Sequence, residues 1–297
     1  MSIFERTIAL LKRTGTAPGP AFRAVSAAVD LPGSGPAKYS LAPEAAASKR
    51  ITLDRVALRL AGYLPEPAEE RRFAEYYRQI KRPLVKSAFA PPFDGRDRRV
   101  IMLFSALPGD GKTFTSINLA LSIAQERDVS ALLVDADVLK QHVTKIFGLE
   151  KEPGLLDALS DEDASVTSMV VATNLPGWSI LPAGRFAGGT VELFSSNRMH
   201  QVLDILLAQN PRRILLFDSP PLLITNEARS LVSIAGQVTL VVRAGSTPRD
   251  AVRDALGMLD EHQAGGIVFN EGHIGLNQGY YGYGTYAVDP IDKASKR

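Results

Sequence analysis

Short, nearly continuous apolar runs recur through the second part of the chain, at Val100–Phe104, Ala131–Val134, Trp178–Leu181, Ile214–Phe217, Val238–Val242 and Gly266–Phe269. Runs of this kind predict strands buried on both faces. Between most of them lie amphipathic stretches, such as Thr113–Glu126 and Pro248–Glu261, that predict helices. The alternation predicts an α/β fold over residues 93–272, a doubly wound and mostly parallel sheet. Its ligands are expected at the carboxyl ends of the strands.

The earlier chain has a different rhythm. Over residues 51–92, Phe73, Tyr77, Ile80 and Leu84 recur at i, i+4, i+7 and i+11, one apolar stripe of a helix. A shorter helix is predicted near Leu53–Leu60, stopped by Gly62 and followed by Pro65 and Pro67. Pro83 is expected to kink the longer helix or end it at Arg82. Residues 14–50 are rich in Ala, Pro, Gly and Ser and predict a flexible linker. Residues 1–13 predict a short amphipathic helix, with Ser2 and Glu5 at capping-box spacing and Phe4, Ile8 and Leu11 on one face. Packing on its own domain and docking on a partner or membrane are both open to it. The last stretch, 273–297, interleaves Tyr280, Tyr281, Tyr283 and Tyr286 with Gly279, Gly282 and Gly284. It has no helical period and predicts a flexible tail. Its phenols suit phosphorylation, or packing on a neighbouring subunit.

Composition narrows the class. Of 297 residues, 45% are apolar and 22% charged, which excludes a disordered or collagen-like chain. The net charge of +2, with no basic stripe, argues against nucleic acid as a partner. Cysteine is absent, which removes disulfides, thiolate metal sites and thiol nucleophiles. His142, His200, His262 and His273 lack metal-like spacing. No apolar run is long enough to cross a bilayer, and Glu5 and Arg6 fall where a secretory leader needs apolar residues. A cytoplasmic location is expected, with room for attachment to a membrane through a partner.

The chemistry gathers at predicted strand ends. After the first strand comes Ser105-Ala-Leu-Pro-Gly-Asp-Gly-Lys-Thr-Phe-Thr, the pattern of a phosphate-binding P-loop with Ala106 in place of the first glycine. Gly109 and Gly111 allow the backbone to wrap a phosphate chain, and the following helix directs its amino end at the anion. Pro108, Gly109, Asp110, Gly111, Lys112, Thr113 and Phe114 are the expected nucleotide contacts. Lys112 supplies charge to the β- and γ-phosphates, and Thr113 a hydroxyl for a metal ion. The next strand ends in Leu-Leu-Val-Asp-Ala-Asp, where Asp135 and Asp137 suit metal ligation or proton acceptance. Asp218, ending Ile-Leu-Leu-Phe-Asp-Ser-Pro-Pro, is the expected Walker B acid beside Thr113. Asn270 closes the last strand, where its amide suits an adenine edge or a simple turn. Arg243 either lines the nucleotide site or pairs with a loop acid.

Together these residues resemble the bacterial tyrosine kinases, P-loop autokinases of polysaccharide export and synthesis, and among them the exosortase-associated or chain-length-determinant autokinases. ALPGDGKT resembles their Walker A motif, LLVDAD their second acidic motif and ILLFDSPP their Walker B motif. The terminal tyrosines resemble their phosphorylated cluster. Glu75-Tyr-Tyr-Arg78-Gln-Ile-Lys81-Arg82 resembles their E-x2-R-x2-R self-association motif.

The resemblance implies a P-loop NTPase fold of the deviant-Walker, MinD-like kind. It implies ATP and Mg²⁺ held by Lys112, Thr113, Asp137 and Asp218, with Asp135 as base. Tyr280, Tyr281, Tyr283 and Tyr286 would be phosphorylated in a neighbouring subunit's site. Glu75, Arg78, Lys81 and Arg82 would join a ring-like homo-oligomer. It also implies a separate membrane activator of the chain-length-determinant or co-polymerase type, a tyrosine phosphatase, and a peripheral place at the inner face of the plasma membrane. Leu139 stands where the family often has arginine, with Lys140 beside it, and Lys81 replaces the motif's last arginine. Two alternatives share the P-loop. One is a positioning ATPase, whose early P-loop lysine is here Leu107. The other is a nucleotide-binding regulatory scaffold without kinase activity.

Overall fold

All six apolar runs are strands in the computed structural model, which describes residues 49–92, 94–185, 188–260 and 263–272. The helix expected over 1–13, the linker up to residue 48 and the tyrosine tail lie outside these residues. The first part holds β1 (Lys49–Ile51), α1 (Arg55–Leu60) and α2 (Glu70–Ala88). Then come β2 (Val100–Ser105), α3 (Lys112–Ala124), β3 (Ser130–Asp135) and α4 (His142–Ile146). Three short elements follow, α5 (Leu155–Ser160), α6 (Val166–Met169) and β4 (Val171–Thr173), ahead of β5 (Trp178–Leu181). The chain continues with α7 (Thr190–Phe194), α8 (Asn197–Ala208), β6 (Arg213–Asp218) and α9 (Asn226–Ile234). β7 (Gln237–Arg243), α10 (Arg249–Leu256) and β8 (Ala264–Asn270) complete it.

The strands form one sheet in the order β1-β4-β5-β3-β6-β2-β7-β8, parallel except where β4 meets β5. Side chains of a strand alternate between faces, and two cores result. Val100, Met102 and Phe104 of β2 join Leu132 and Val134 of β3 and Leu215 and Phe217 of β6 under α8, α9 and α10. Ile101, Leu103, Leu133 and Leu216 face the other way, under α2 and α3. Helices on both faces explain why the strands read as unbroken apolar runs rather than as alternating ones.

Three expectations need correction. Lys49 and Arg50, at the end of the expected linker, begin β1, which pairs in parallel with β4 through Lys49↔Val171 and Ile51↔Thr173. These short edge strands carry too little pattern to read alone. Pro83 does not end its helix, since α2 runs unbroken to Ala88. An interior proline costs about 3 kcal/mol. Burial of Leu84 and Ala88 against the sheet offsets it, and Gln237 Nε2 bonds the Leu84 carbonyl at 3.2 Å. The helix expected to reach Glu261 stops at Leu256, where Gly257 forms its C-cap. By contrast, α1 starts where a capping residue directs it, with Asp54 accepting from Val56 and Ala57 N–H. No helix among the described residues is long and apolar enough to cross a membrane.

Candidate active site

The loop between β2 and α3 is built for close backbone approach. Gly109 and Gly111 take φ of 89° and 92°, a region that side chains disfavour. At Gly111 a Cβ atom would also lie 1.9 Å from Asn270 Nδ2. Asp110 pins the loop from inside. Its Oδ2 accepts from Leu107 N–H at 3.3 Å, and its Oδ1 accepts from Thr247 Oγ1 at 2.7 Å. Thr247 Oγ1 in turn accepts from Arg243 N–H at 2.9 Å. Asn270 Nδ2 donates to the Asp110 carbonyl at 3.1 Å. The ends of β7 and β8 thus clamp the P-loop, and these bonds hold its shape.

Three carboxylates converge beside this loop. β3, β6 and β2 are successive strands, and Asp135 is paired in register with Asp218. Asp218 is buried. Its Oδ2 accepts from Thr113 Oγ1 at 2.8 Å and its Oδ1 from Ser116 Oγ at 2.9 Å. Asp135 is buried too, and both the N–H and the hydroxyl of Thr144 donate to its Oδ2, each at 2.7 Å. Its other oxygen, Oδ1, is buried without a partner.

Burial, reinforced by the Asp218 charge, pushes the Asp135 carboxyl up to about 7. Burial also raises Asp218, against the Lys112 charge and its two hydroxyl donors. Lys112 is held below the ordinary lysine range by burial, which Asp218 and Asp137 oppose. Both signs of charge are therefore desolvated here, as a site awaiting a charged ligand requires.

The donor set suits magnesium. It offers oxygen only, from the Thr113 hydroxyl and from Asp137 and Asp218, with the orphaned Asp135 Oδ1 adjacent. Among the described residues no three acids or imidazoles form a closed metal cage. A cation here would be completed by phosphate oxygens and water, the usual manner of magnesium. The arrangement can hold a nucleotide triphosphate and place a base near its terminal phosphate.

Other expected residues fall differently. Pro108 and Gly109 are exposed at the loop tip. The Phe114 ring stands edge-on to Phe73 of α2, with centroids 5.9 Å apart, so its side chain serves packing and only its backbone lies in the loop's first turn. Asn270 lies against the P-loop, one amide hydrogen committed to it. Arg243 pairs with the loop acid Glu271 at 2.6 Å. Exposed Leu139 holds the family's arginine position. Lys140 lies near enough that its charge further lowers Lys112.

Of the four expected self-association residues, three are exposed on α2, and Glu75 and Arg78 form an ion pair one turn apart. Lys81 is a correction. It is buried, with Nζ donating to the Ser122 carbonyl at 2.6 Å and pairing with Glu126 at 2.8 Å. A lysine turned onto α3 joins two helices of one subunit.

Sequence reasoning missed Ser116, Thr144 and Thr247. Ser116 carries a signal, since it lies one helical turn beyond Thr113. Thr247 follows the end of β7, where a site residue is expected. Thr144 carries none, because only the tertiary fold brings α4 under β3.

A family model described as an AAA domain matches residues 98–252. The EpsB protein of Ralstonia nicotianae, named as a tyrosine-protein kinase, is 34% identical over 188 residues, covering 63% of this chain and 24% of that protein. Tyrosine-protein kinase YwqD of Bacillus subtilis is 31% identical over 193 residues, covering 64% of this chain and 79% of that protein. Among solved structures, the VpsO kinase domain superposes with a TM-score of 0.57 at 29% identity, covering 69% of this chain and 98% of that domain. The chain spans about a quarter of the length of EpsB and most of that of YwqD. With its AAA domain, P-loop and paired acidic strand ends, the chain belongs to the bacterial tyrosine-protein kinase family.

Proposed function

We propose that the protein is an ATP-dependent protein-tyrosine autokinase that phosphorylates its own C-terminal cluster, Tyr280, Tyr281, Tyr283 and Tyr286, in trans. One observation carries the reading. Lys112 and three carboxylates, Asp135, Asp137 and Asp218, gather at the tips of adjacent strands beside a prebuilt phosphate loop.

In this reading the P-loop amides and Lys112 hold the β- and γ-phosphates. Thr113, Asp137 and Asp218 hold magnesium, which supplies neutralisation of charge on the phosphate oxygens. A phenol is a poor nucleophile near neutral pH, so a positioned base matters. Asp135 is the base in this reading, and Oδ1, its oxygen without a protein donor, is the atom that takes the phenol proton. The phenolic oxygen forms a bond to the γ-phosphorus, and the bond from that phosphorus to the β–γ bridging oxygen breaks. The products are phosphotyrosine and ADP. Phosphates added to the tails, each with nearly two negative charges, repel one another and loosen a ring-like oligomer.

The resemblance to the autokinases of polysaccharide export and synthesis supports a role in exopolysaccharide chain-length control and export. A separate membrane activator of the chain-length-determinant type would hold the protein at the inner face of the plasma membrane, and a tyrosine phosphatase would reset it.

The test is mass spectrometry of the full chain after incubation with ATP and magnesium. Phosphate is expected on Tyr280–Tyr286, and none in Lys112→Met. Free phosphate with an unmodified tail would favour the positioning-ATPase reading, and no turnover of any kind the scaffold reading.

A further inference from the structure

We propose that Thr144 is a positioning residue for Asp135, fixing which carboxylate oxygen is free to act. The inference rests on the kinase reading of the same site and adds to it a residue outside every motif.

The geometry is specific. Asp135 Oδ2 receives two donors from one residue, the backbone N–H and the hydroxyl of Thr144, at 2.7 Å each. The hydroxyl cannot turn away, because its oxygen already accepts from Ala183 N–H at 2.9 Å. A hydroxyl has one hydrogen, and the Ala183 contact uses a lone pair. That hydrogen is therefore directed at Oδ2. Thr144 is buried, so water does not compete for these bonds. Three elements meet here, the end of β3, helix α4 and the segment after β5.

The consequence falls on the other oxygen. With Oδ2 doubly occupied, rotation of the carboxyl is blocked, and Oδ1 keeps its lone pairs without any protein donor. A buried acceptor left open is costly unless a ligand fills it. The Thr144 clamp holds that acceptor on the working side of the carboxyl. Without the hydroxyl, the carboxyl can rotate, and the time it spends in a productive orientation falls.

The experiment compares Thr144→Val, which keeps shape and the N–H but loses the hydroxyl, with Thr144→Ser, which restores it. Both are made in the full chain. Turnover is followed as phosphotyrosine and as free phosphate, with nucleotide affinity measured by fluorescent-ADP titration. Thr144→Val is expected to lower kcat at least tenfold with KM for ATP changed less than twofold, and Thr144→Ser to return kcat to within about threefold of wild type. In an Asp135→Asn background, Thr144→Val should bring no further loss. Valine leaves Ala183 N–H without an acceptor. If it compromises folding, Thr144→Cys, a weak donor of similar size, takes its place.

An unchanged kcat, equal losses with valine and serine, or a fall in nucleotide affinity as large as the fall in kcat would overturn the proposal. Wild-type protein releasing phosphate without phosphotyrosine would defeat the kinase reading alone, with Thr144 still read from phosphate release. If wild type turns over in neither way, thermal unfolding of wild type, Thr144→Val, Asp135→Asn and the double variant decides. The clamp requires that Thr144→Val lower Tm less in the Asp135→Asn background than in wild type, and equal losses refute it.

Discussion

Asp135 is where stability and chemistry oppose each other. Its carboxyl is raised to about 7 when folded, so between roughly pH 4 and 7 the folded state binds more protons than the unfolded. Stability of the nucleotide-free protein is therefore complete below that window and falls as pH rises through it. Thermal unfolding between pH 5 and 8 should show Tm declining, with a smaller decline in Asp135→Asn. At pH 8 the Asn variant should melt higher than wild type while forming phosphotyrosine far more slowly. Equal slopes in both chains would contradict this.

Gly111 makes a second sharp case. A methyl there meets Asn270 Nδ2 at 1.9 Å and must adopt φ of 92°, a strain of order 1–3 kcal/mol. Gly111→Ala should lower Tm by several degrees and weaken fluorescent-nucleotide binding at least tenfold. Adding Asn270→Ala should recover part of the Tm, because it removes the clash and leaves the strained φ. Of these features, the glycine and the aspartate were legible in the sequence. Of the neighbours that make them critical, Asn270 reaches the P-loop from a strand far along the chain, and Thr144, nine residues beyond Asp135, gains its role from the turn that folds α4 back under β3.

Helix α2 presents two different faces. On one, Lys81 reaches the Ser122 carbonyl and Glu126 of the P-loop helix region. The buried Tyr77 phenol bonds Thr115, whose hydroxyl donates to the Gly111 carbonyl at 3.0 Å. On the other, Glu75, Arg78 and Arg82 are exposed. Substitutions on the two faces should separate. Lys81→Ala should cost about 1–3 kcal/mol in urea unfolding, since it strands a buried carbonyl. Glu75→Ala and Arg82→Ala should change stability by less than about 0.5 kcal/mol, because exposed pairs contribute little. If the exposed face joins subunits, as proposed, native mass spectrometry should find smaller assemblies for these two variants. The apolar stripe of α2 was legible, since its period is that of a helix. The run past Pro83 was not, because the burial that offsets the proline comes from the sheet.

Across the molecule, the sheet brings its chain end back to the P-loop. Asn270 bonds the Asp110 carbonyl, and Tyr280 lies nine residues beyond Glu271. Nine residues span at most about 30 Å. That length does not by itself exclude a subunit's own site, so trans phosphorylation makes a kinetic prediction. The initial phosphotyrosine rate per subunit should rise with protein concentration across a dilution series. A rate independent of concentration, over a range where native mass spectrometry finds only monomer, would mean that each tail is modified by its own subunit.

The sequence by itself determined the α/β class, the six apolar strands, the phosphate loop and the acids at the strand ends. Those properties are local, set by side-chain periodicity and by backbone freedom at glycine over a few residues. Only the tertiary structure decided that β1 and β4 exist, that Lys81 points inward and that Thr144 clamps Asp135. These depend on which distant segments share a sheet edge or a buried pocket, and the free energy of burial and desolvation there belongs to the assembled fold rather than to any one stretch of chain.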